Sequence, residues 1–290
     1  MHPLLVKDLD DLSKVCGREI IQSTKVSGGD TALAYKLILA DGTRVFCKQD
    51  HLNAFTQFSA ESTGLEILNA SNQVNQAGWI IPQVIWCGVT DHAAYLLLDW
   101  VDLHKVSNFE NVGKGLARIH RMQSTHFGWD RDNYLGHTKQ NNHWATRWDE
   151  FYWSQRLLPL VTALEQKGMI RVNRQRLQDT TYQLLQHMPT PSLIHGDLWI
   201  GNIGESNDGT VVLFDPATYY ADRELDFAMT RLFGQFPQEF YTAYQEEWPL
   251  PNGYQDRQKL YELYHILNHA VLFGEYYLSQ VKLLLKKLGI

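Results

Sequence analysis

Residues 195–202 read His-Gly-Asp-Leu-Trp-Ile-Gly-Asn, and residues 213–216 read Leu-Phe-Asp-Pro. Asn202 lies five residues after Asp197, and Asp215 follows thirteen residues after Asn202, beyond a turn and an apolar run. A kinase catalytic loop carries its catalytic aspartate and its two metal ligands in this order and at this spacing. The stretch therefore predicts a phosphotransferase in which Asp197 accepts the proton of an acceptor hydroxyl, while Asn202 and Asp215 hold Mg²⁺.

Each half of this pattern has a simpler interpretation when it is taken alone. Residues 195–197 could be a plain strand-to-loop turn, and Asp215 followed by Pro216 could merely end a strand. Both halves occur in order, however, with apolar residues 192–194 before the first and 211–214 before the second aspartate. The combination favours the catalytic interpretation over coincidence.

Composition restricts the classes of protein that fit. The 290 residues are 44% hydrophobic and 20% charged, which is typical of a globular chain with two domains or two lobes. A net charge of -6 argues against nucleic acid as a partner, because binding a phosphate backbone needs a basic surface. The three cysteines have neither metal-ligand spacing nor the even count of a disulfide framework, which indicates a reducing compartment.

The N-terminal segment has no basic region followed by an apolar one, and no apolar run is long enough to cross a bilayer. We therefore expect a cytoplasmic protein with no membrane partner. The sequence leaves the oligomeric state open.

The first hundred residues are predicted to form mainly strands. Asp41 and Gly42 separate two β-rich runs, which is a strong hairpin signal. Apolar positions at helical spacing predict one helix over residues 55–69. The expected strands cover residues 19–23, 32–39, 43–49, 82–89 and 93–101.

After Asp102 the pattern becomes helical, with expected helices around residues 109–119, 144–166, 173–187 and 256–287. The prediction is an α+β, two-lobed fold. Residues 1–101 would form a small antiparallel β lobe that binds nucleotide and contains one helix. Residues 102–290 would form a larger, mainly helical lobe that carries catalysis and the acceptor, with a cleft at the junction.

Lys48 stands near the end of a predicted strand, after a turn that contains Gly28 and Gly29. A lysine in that place is usually solvated and two glycines usually make a plain turn. Kinases, however, put a phosphate-contacting lysine and a glycine loop at these positions, and the downstream motif favours that interpretation. On the following helix Glu61 could pair with Lys48, and Glu66 is a nearby alternative.

Two further segments have more than one interpretation. Residues 98–102 could be a buried strand that ends at the lobe junction, and the backbone of Trp100, Val101 and Asp102 could also contact adenine. Residues 222–226, Asp-Arg-Glu-Leu-Asp, could be a solvated charge cluster. Alternatively, Asp226 supports the catalytic loop by hydrogen bonding, and Asp222 or Glu224 faces the cleft. His120 and His126 are expected to be core or capping residues.

At these residues the sequence resembles the fructosamine kinase, or ketosamine 3-kinase, family, a branch of the protein-kinase-like fold related to aminoglycoside phosphotransferases. Trp199 distinguishes the motif, because related small-molecule kinases usually lack a tryptophan there. The helix motif at residues 58–61 favours Glu61 over Glu66 as the lysine partner. The other matching segments are residues 214–217, 222–224, 127–130, 133, 136, 142, 144, 148, 151, 156–157, 263–264, 267–269 and 272–274.

The resemblance implies an ATP- and Mg²⁺-dependent kinase of the sugar 3-hydroxyl of a ketosamine, and hence a role in repairing glycated amines. Its residue-wise counterparts are Asp197 as base, Asn202 and Asp215 at Mg²⁺, Lys48, Glu61, Gly28 and Gly29 at the ATP phosphates, and Trp100, Val101 and Asp102 at adenine. Some members of the family have a cysteine after the two glycines. This chain has Asp30 there, so no thiol switch is expected in that loop.

Two other functions stay open at the level of sequence. The acceptor pocket rather than the fold determines the substrate, so a kinase of aminoglycosides, choline or another hydroxylated amine is one alternative. A nucleotide-binding scaffold without turnover is the other, although the intact aspartates and lysine argue against it.

Overall fold

The computed structural model describes residues 6–26 and 32–290. The smaller lobe contains a five-stranded antiparallel sheet in the order β1-β2-β3-β5-β4. Its strands are β1 (Ile20–Val26), β2 (Leu33–Leu39), β3 (Arg44–Asp50), β4 (Val84–Val89) and β5 (Ala94–Asp99).

Both faces of this sheet are covered, which explains why β5 is apolar at nearly every position. Leu96 and Leu98 pack against helix α2 (Phe55–Val74) on one face. Tyr95 and Leu97 point to the opposite face, where they join a cluster with Leu12 from helix α1 (Val6–Cys16). Successive side chains of a strand alternate between faces, so a strand covered on both sides needs a continuous apolar run.

The expected α+β fold is confirmed, and the small lobe differs from the prediction in three details. The small lobe has two α-helices rather than one, because the sequence pattern did not predict α1. A short 3-10 turn, Leu52–Ala54, also precedes α2, which continues five residues beyond the predicted end to Val74. The expected division after residue 101 remains a prediction, and the first helix of the larger lobe begins at Phe109.

The larger lobe is mainly helical. Its longest helix, α9, has twenty residues, as does α2 of the smaller lobe, and no helix among the described residues is both long and apolar enough to span a membrane. The helices after the sheet are α3 (Phe109–Ile119), α4 (Trp148–Tyr152), α5 (Leu158–Gln166), α6 (Arg174–Leu184), α7 (Glu224–Arg231), α8 (Gln238–Glu247), α9 (Tyr254–Phe273) and α10 (Leu278–Lys287).

The helices of the larger lobe differ from the expected pattern in three ways. A π-helical segment, Trp153–Leu157, separates α4 from α5 within the helix predicted over residues 144–166. The helix predicted over residues 256–287 is interrupted at Gly274, whose φ of +78° ends α9 before the 3-10 turn Gly274–Tyr277. Helices α7 and α8 were not predicted.

The larger lobe also contains three short antiparallel pairs of strands, which are joined by its loops. Strands β6 (Asn133–Leu135) and β7 (Thr138–Gln140) form a hairpin, here called the β6–β7 hairpin. The other two pairs, which flank residues 195–202, are β8 (Ser192–Ile194) with β11 (Tyr219–Ala221) and β9 (Ile203–Glu205) with β10 (Val211–Leu213).

Helices α3 and α8 pack closely at Gly113. A Cβ atom on Gly113 would lie 2.3 Å from the backbone oxygen of Phe240. We expect Gly113→Ala to lower the free energy of unfolding by about 1–3 kcal/mol, because overpacking against backbone outweighs the roughly 1 kcal/mol that alanine adds through helix propensity.

Urea denaturation of the variant and the wild type measures this difference. Lys114→Ala is the matched control on the next, more exposed position of α3, and we expect it to change stability by no more than about 0.5 kcal/mol. A Gly113→Ala protein as stable as the wild type would contradict the close packing of α3 on α8.

Candidate active site

Residues 195–202, the predicted catalytic loop, begin where β8 ends and finish in the 3-10 turn Ile200–Asn202. Gly196 adopts a φ of +84°, and a Cβ atom there would lie 2.3 Å from the backbone oxygen of Ala217. A Cβ atom on Gly201 would lie 2.3 Å from the indole ring of Trp199. The path of the loop therefore requires glycine at position 196, and the position of the Trp199 ring leaves no room for a side chain at position 201.

Asp226, at the start of α7, holds the beginning of the catalytic loop. Its carboxylate accepts hydrogen bonds from the backbone N–H groups of His195 and Gly196, both at 2.8 Å. His120 Nε2 lies 3.0 Å from the same carboxylate, and Tyr244 bonds the other ring nitrogen of His120. Burial would raise the pKa of Asp226, but His120 and the backbone donors outweigh it and lower the pKa.

His195 connects the catalytic loop to the strand that leads to Asp215. Its Nε2 donates to the backbone oxygen of Phe214 at 3.0 Å, and its Nδ1 accepts from the backbone N–H of Asp197 at 3.3 Å. These two roles require the neutral imidazole with its proton on Nε2. Burial lowers the pKa of His195 and thus favours that form.

Asp197 and Asn202 face each other across the loop. The Asn202 amide nitrogen donates to the backbone oxygen of Asp197 at 2.8 Å and to Asp197 Oδ2 at 3.1 Å. Burial and the nearby Asp215 carboxylate raise the pKa of Asp197 to about 7, although Asn202 opposes the rise. A carboxylate with a pKa near neutrality is well suited to accept a proton from a hydroxyl.

Lys48 contacts one carboxylate in each lobe. Its ammonium lies 2.7 Å from Glu61 Oε1 and 2.6 Å from Asp215 Oδ1. The expected ion pair with Glu61 is therefore present. Burial alone would lower the pKa of Lys48, but the two carboxylates raise it well above its usual range, so the side chain stays charged.

Asp215 adopts a left-handed backbone conformation with a φ of +57°, which is uncommon for a residue other than glycine. Such strain occurs most often at functional sites. The conformation places Asp215 Oδ1 at Lys48 although the two residues are 167 positions apart in sequence. The contact brings the strand lobe, the helix that carries Glu61 and the catalytic loop to one place.

Helix α2 is held against the larger lobe, which fixes the position of Glu61. Thr56 Oγ1 lies 3.0 Å from the hydroxyl of Tyr134, and Gln57 Nε2 donates to the backbone oxygen of Gly136 at 3.0 Å. Farther along α2, a Cβ atom on Gly64 would lie 3.3 Å from the ring of Pro216. The β6–β7 hairpin and Pro216 therefore contact α2 and hold it against the larger lobe.

The segment between the lobes contributes two of its three predicted residues to the cavity. Trp100 and Val101 line it, whereas the side chain of Asp102 accepts hydrogen bonds from Arg44 and from the indole N–H of Trp100, both at 2.8 Å. Gly28 and Gly29 lie outside the described residues.

These residues surround a cavity of about 1140 Å³ between the lobes. Single ligand sites usually measure about 300–1,000 Å³, so this cavity is larger than most of them. Besides the predicted residues, its lining includes Phe46, Pro82, Leu98, Asn133, Gly136, His137, Trp199, Phe233, Asn268, His269, Leu272, Phe273, Tyr276 and Tyr277.

The prediction that Asp222 or Glu224 faces the cleft is wrong. Asp222 is buried between His187, at 2.8 Å, and the hydroxyl of Tyr261. Glu224 is buried too, and both of its oxygens accept from the guanidinium of Arg257, at 2.6 Å and 2.8 Å. Their partners come from distant segments, so a charge run that looks solvated in sequence is neutralised inside the fold.

The tryptophans at positions 144, 148 and 199 have different environments. Trp199 lines the cavity, and Trp148 lies in the core, where its indole N–H donates to Tyr261 at 2.9 Å. Trp144 is half-exposed and is not part of the cavity lining. Spacing and composition did not point to the cavity-lining residues Phe233, Tyr276 and Tyr277.

The donor set fits a hard divalent cation. Asp215 offers carboxylate oxygen, and Asn202 uses its amide nitrogen toward Asp197, which leaves its amide oxygen as the ligating atom. Mg²⁺ prefers such oxygen ligands together with the phosphates of a nucleotide. These two residues could therefore hold the metal that a bound nucleotide requires.

Comparisons with known proteins point to one family. The profile of the fructosamine kinase family matches residues 7–289. A protein of Vibrio parahaemolyticus named "Probable ketoamine kinase" is 38% identical to this chain over 276 residues, which cover 93% of each of the two sequences.

The likeness extends to three-dimensional structure. The crystal structure of a Haemophilus somnus protein named "Putative fructosamine-3-kinase" aligns with a TM-score of 0.87 and 29% identity, covering 97% of this chain and 96% of that one. An amicoumacin kinase in complex with AMP-PNP, Ca²⁺ and its ligand aligns with a TM-score of 0.60 at 14% identity, covering 96% and 92%. The second match shows the fold alone, and it identifies that fold as protein-kinase-like.

The pKa of about 7 at Asp197 leads to a prediction about pH. We expect kcat/KM to fall as the pH drops from about 8 to about 5.5, because a protonated carboxyl cannot accept the proton of the acceptor hydroxyl. Initial rates across this range measure the effect. The residual rate of Asp197→Asn should lack this fall, and a wild-type kcat/KM that is constant or rises toward acid pH would contradict the assignment.

Asp226 provides a second prediction. We expect Asp226→Asn to lower the free energy of unfolding by about 1–3 kcal/mol and to reduce kcat, because a neutral amide oxygen cannot satisfy two backbone donors and His120. Chemical denaturation and initial rates measure the two effects. Asp130→Asn is the matched control at an exposed carboxylate, and equal behaviour of the two variants would contradict a supporting role for Asp226.

Proposed function

The chain belongs to the fructosamine kinase family, and we propose that it transfers the γ-phosphoryl group of ATP to a sugar hydroxyl of a ketosamine. The observation that carries the proposal is the cavity itself. Its lining includes both the cluster of Lys48, Glu61 and Asp215 and the Asp197–Asn202 pair, together with a wall of aromatic side chains. Such a cavity suits a nucleotide beside a small hydroxylated acceptor.

In this proposal the nucleotide lies between the sheet and the segment that joins the lobes. Backbone groups of Trp100, Val101 and Asp102 contact adenine, and the glycine loop with Gly28 and Gly29 covers the phosphates. Lys48, which Glu61 orients, binds phosphate oxygens as a point charge. The side chain of Asp102 is occupied by Arg44 and Trp100, so its contribution to adenine would come from the backbone.

Asp197 is the proposed general base. Its carboxylate would accept a hydrogen bond from the acceptor hydroxyl and take up the proton as that oxygen bonds to the γ-phosphorus. The bond from the γ-phosphorus to the bridging oxygen of ADP breaks in the same displacement, so ADP leaves with the electron pair. Mg²⁺ held by Asn202 and Asp215 would supply charge neutralisation on the phosphate oxygens.

The acceptor atom that we propose is the 3-hydroxyl. Enolisation of a ketosamine toward its amine-bearing carbon makes a group on the third carbon a leaving group. Phosphate leaves from that carbon more readily than hydroxide, and hydrolysis of the remaining sugar–nitrogen bond then frees the amine. A kinase of the 3-hydroxyl would therefore start the removal of a sugar from a glycated amine.

The proposal is tested by ADP release with fructosyl-, ribulosyl- and erythrulosyl-amines, beside choline and an aminoglycoside. We expect turnover of at least one ketosamine, with the phosphate on its 3-oxygen by phosphorus NMR and with later release of the free amine. Asp197→Asn should reduce kcat by about 10²- to 10⁴-fold, because it removes the base, and should leave ATP affinity nearly unchanged.

Each outcome separates the alternatives. Turnover of choline or the aminoglycoside without any ketosamine would overturn the substrate while leaving a kinase. ATP binding without phosphoryl transfer to any of these acceptors would favour the scaffold. Undiminished turnover by Asp197→Asn would remove the residue from the role of base.

A further inference from the structure

A row of aromatic rings runs from the catalytic loop to the outer edge of the cavity. The ring of Trp199, two residues after Asp197, lies 6.4 Å from that of Phe233. Phe233 stacks on His269 at 4.2 Å, and the next ring, Phe273, follows at 5.6 Å. These rings and the two tyrosines that follow, Tyr276 and Tyr277, all line the cavity.

The outer end of this row is unusually exposed. Phe273 is 54% exposed and Tyr276 is 79% exposed, whereas most aromatic side chains of the described residues are buried or half-buried. The two residues lie on either side of the interruption at Gly274, since Phe273 ends α9 and Tyr276 belongs to the 3-10 turn Gly274–Tyr277. Large exposed aromatic groups that continue a ligand cavity are typical of a binding surface.

The row also differs in charge from the rest of the cavity. Among the described residues, the carboxylates and the ammonium that line the cavity belong to Lys48, Glu61, Asp99, Asp197 and Asp215. None of these five residues is part of the aromatic row. The row therefore suits an apolar group, and it offers little to a small polar one.

We propose that Phe273 and Tyr276 form a subsite for the substituent on the amine nitrogen of the acceptor. The inference rests on the proposed function, which places the sugar at Asp197 and Trp199. A ketosamine bound there extends along the row, and its nitrogen substituent reaches the exposed rings at the cavity edge. The subsite selects ketosamines of aromatic or long aliphatic amines over those of small polar amines.

The test compares two acceptors that share one ketose and differ in the amine, which is benzylamine in one and ethanolamine in the other. We expect the wild type to have a higher kcat/KM for the benzyl compound, by roughly 3- to 10-fold, which is the range of one aromatic contact. Phe273→Ala and Tyr276→Ala should bring this ratio toward one, mainly through KM for the benzyl compound. Tyr276→Phe should restore it, because the ring rather than the hydroxyl makes the contact.

Trp144→Ala is the matched control, since Trp144 is 48% exposed and does not line the cavity. It should leave the ratio unchanged. Tyr276 is so exposed that its truncation should not unfold the protein, which thermal denaturation checks. A wild-type ratio near one, or a ratio that Phe273→Ala and Tyr276→Ala leave intact, would overturn the subsite.

Failure of the subsite and failure of the proposed function give different results. Turnover of ketosamines with an unchanged ratio in the variants overturns only the subsite. If another hydroxylated amine is phosphorylated instead of ketosamines, the proposed function fails, and the same pair of substituents on that acceptor tests Phe273 and Tyr276. If no acceptor of either kind is phosphorylated, both proposals fail.

Discussion

The carboxylate of Asp226 accepts hydrogen bonds from two consecutive backbone N–H groups, those of His195 and Gly196, and lies within 3.0 Å of His120. A buried carboxylate without partners would cost several kcal/mol, so the three donors must stay in place for the fold to be stable. The same requirement fixes the first residues of the catalytic loop. The stability of the fold and the orientation of Asp197 thus both depend on the hydrogen bonds of Asp226.

The contact between the lobes extends this dependence to the small lobe. Lys48 bonds both Glu61 and Asp215, and α2 in turn rests on the β6–β7 hairpin through Gln57. Displacement of α2 would separate Glu61 from Lys48 and leave these partly buried groups with fewer hydrogen-bond partners. The ion pairs are therefore best regarded as a constraint on the relative position of the sheet and the catalytic loop, rather than as a large source of stability.

The sequence predicted most of the elements whose determinants are local. The hairpin at Gly42 and the spacing from Asp197 to Asp215 depend on turn chemistry and on one loop. The pattern did not predict α7, because residues 222–226, where that helix begins, look like a solvated charge run. Their partners, such as Arg257, are remote in sequence, and only tertiary structure brings them together. The aromatic row was not predicted either, because its rings come from three separate segments of the chain.

Charge balance in the cavity limits how a nucleotide can bind. Lys48 carries one positive charge and faces the carboxylates of Glu61 and Asp215, with Asp197 close to Asp215. The cluster is net negative when its carboxylates are ionised, and it would repel the phosphates of ATP at short range. A divalent cation bound at the oxygen donors of Asn202 and Asp215 would offset that negative charge, which supports the proposed metal site. The excess of carboxylates also suits an acceptor that carries a protonated amine, so the electrostatics of the cavity agree with a substrate that is a sugar attached to an amine.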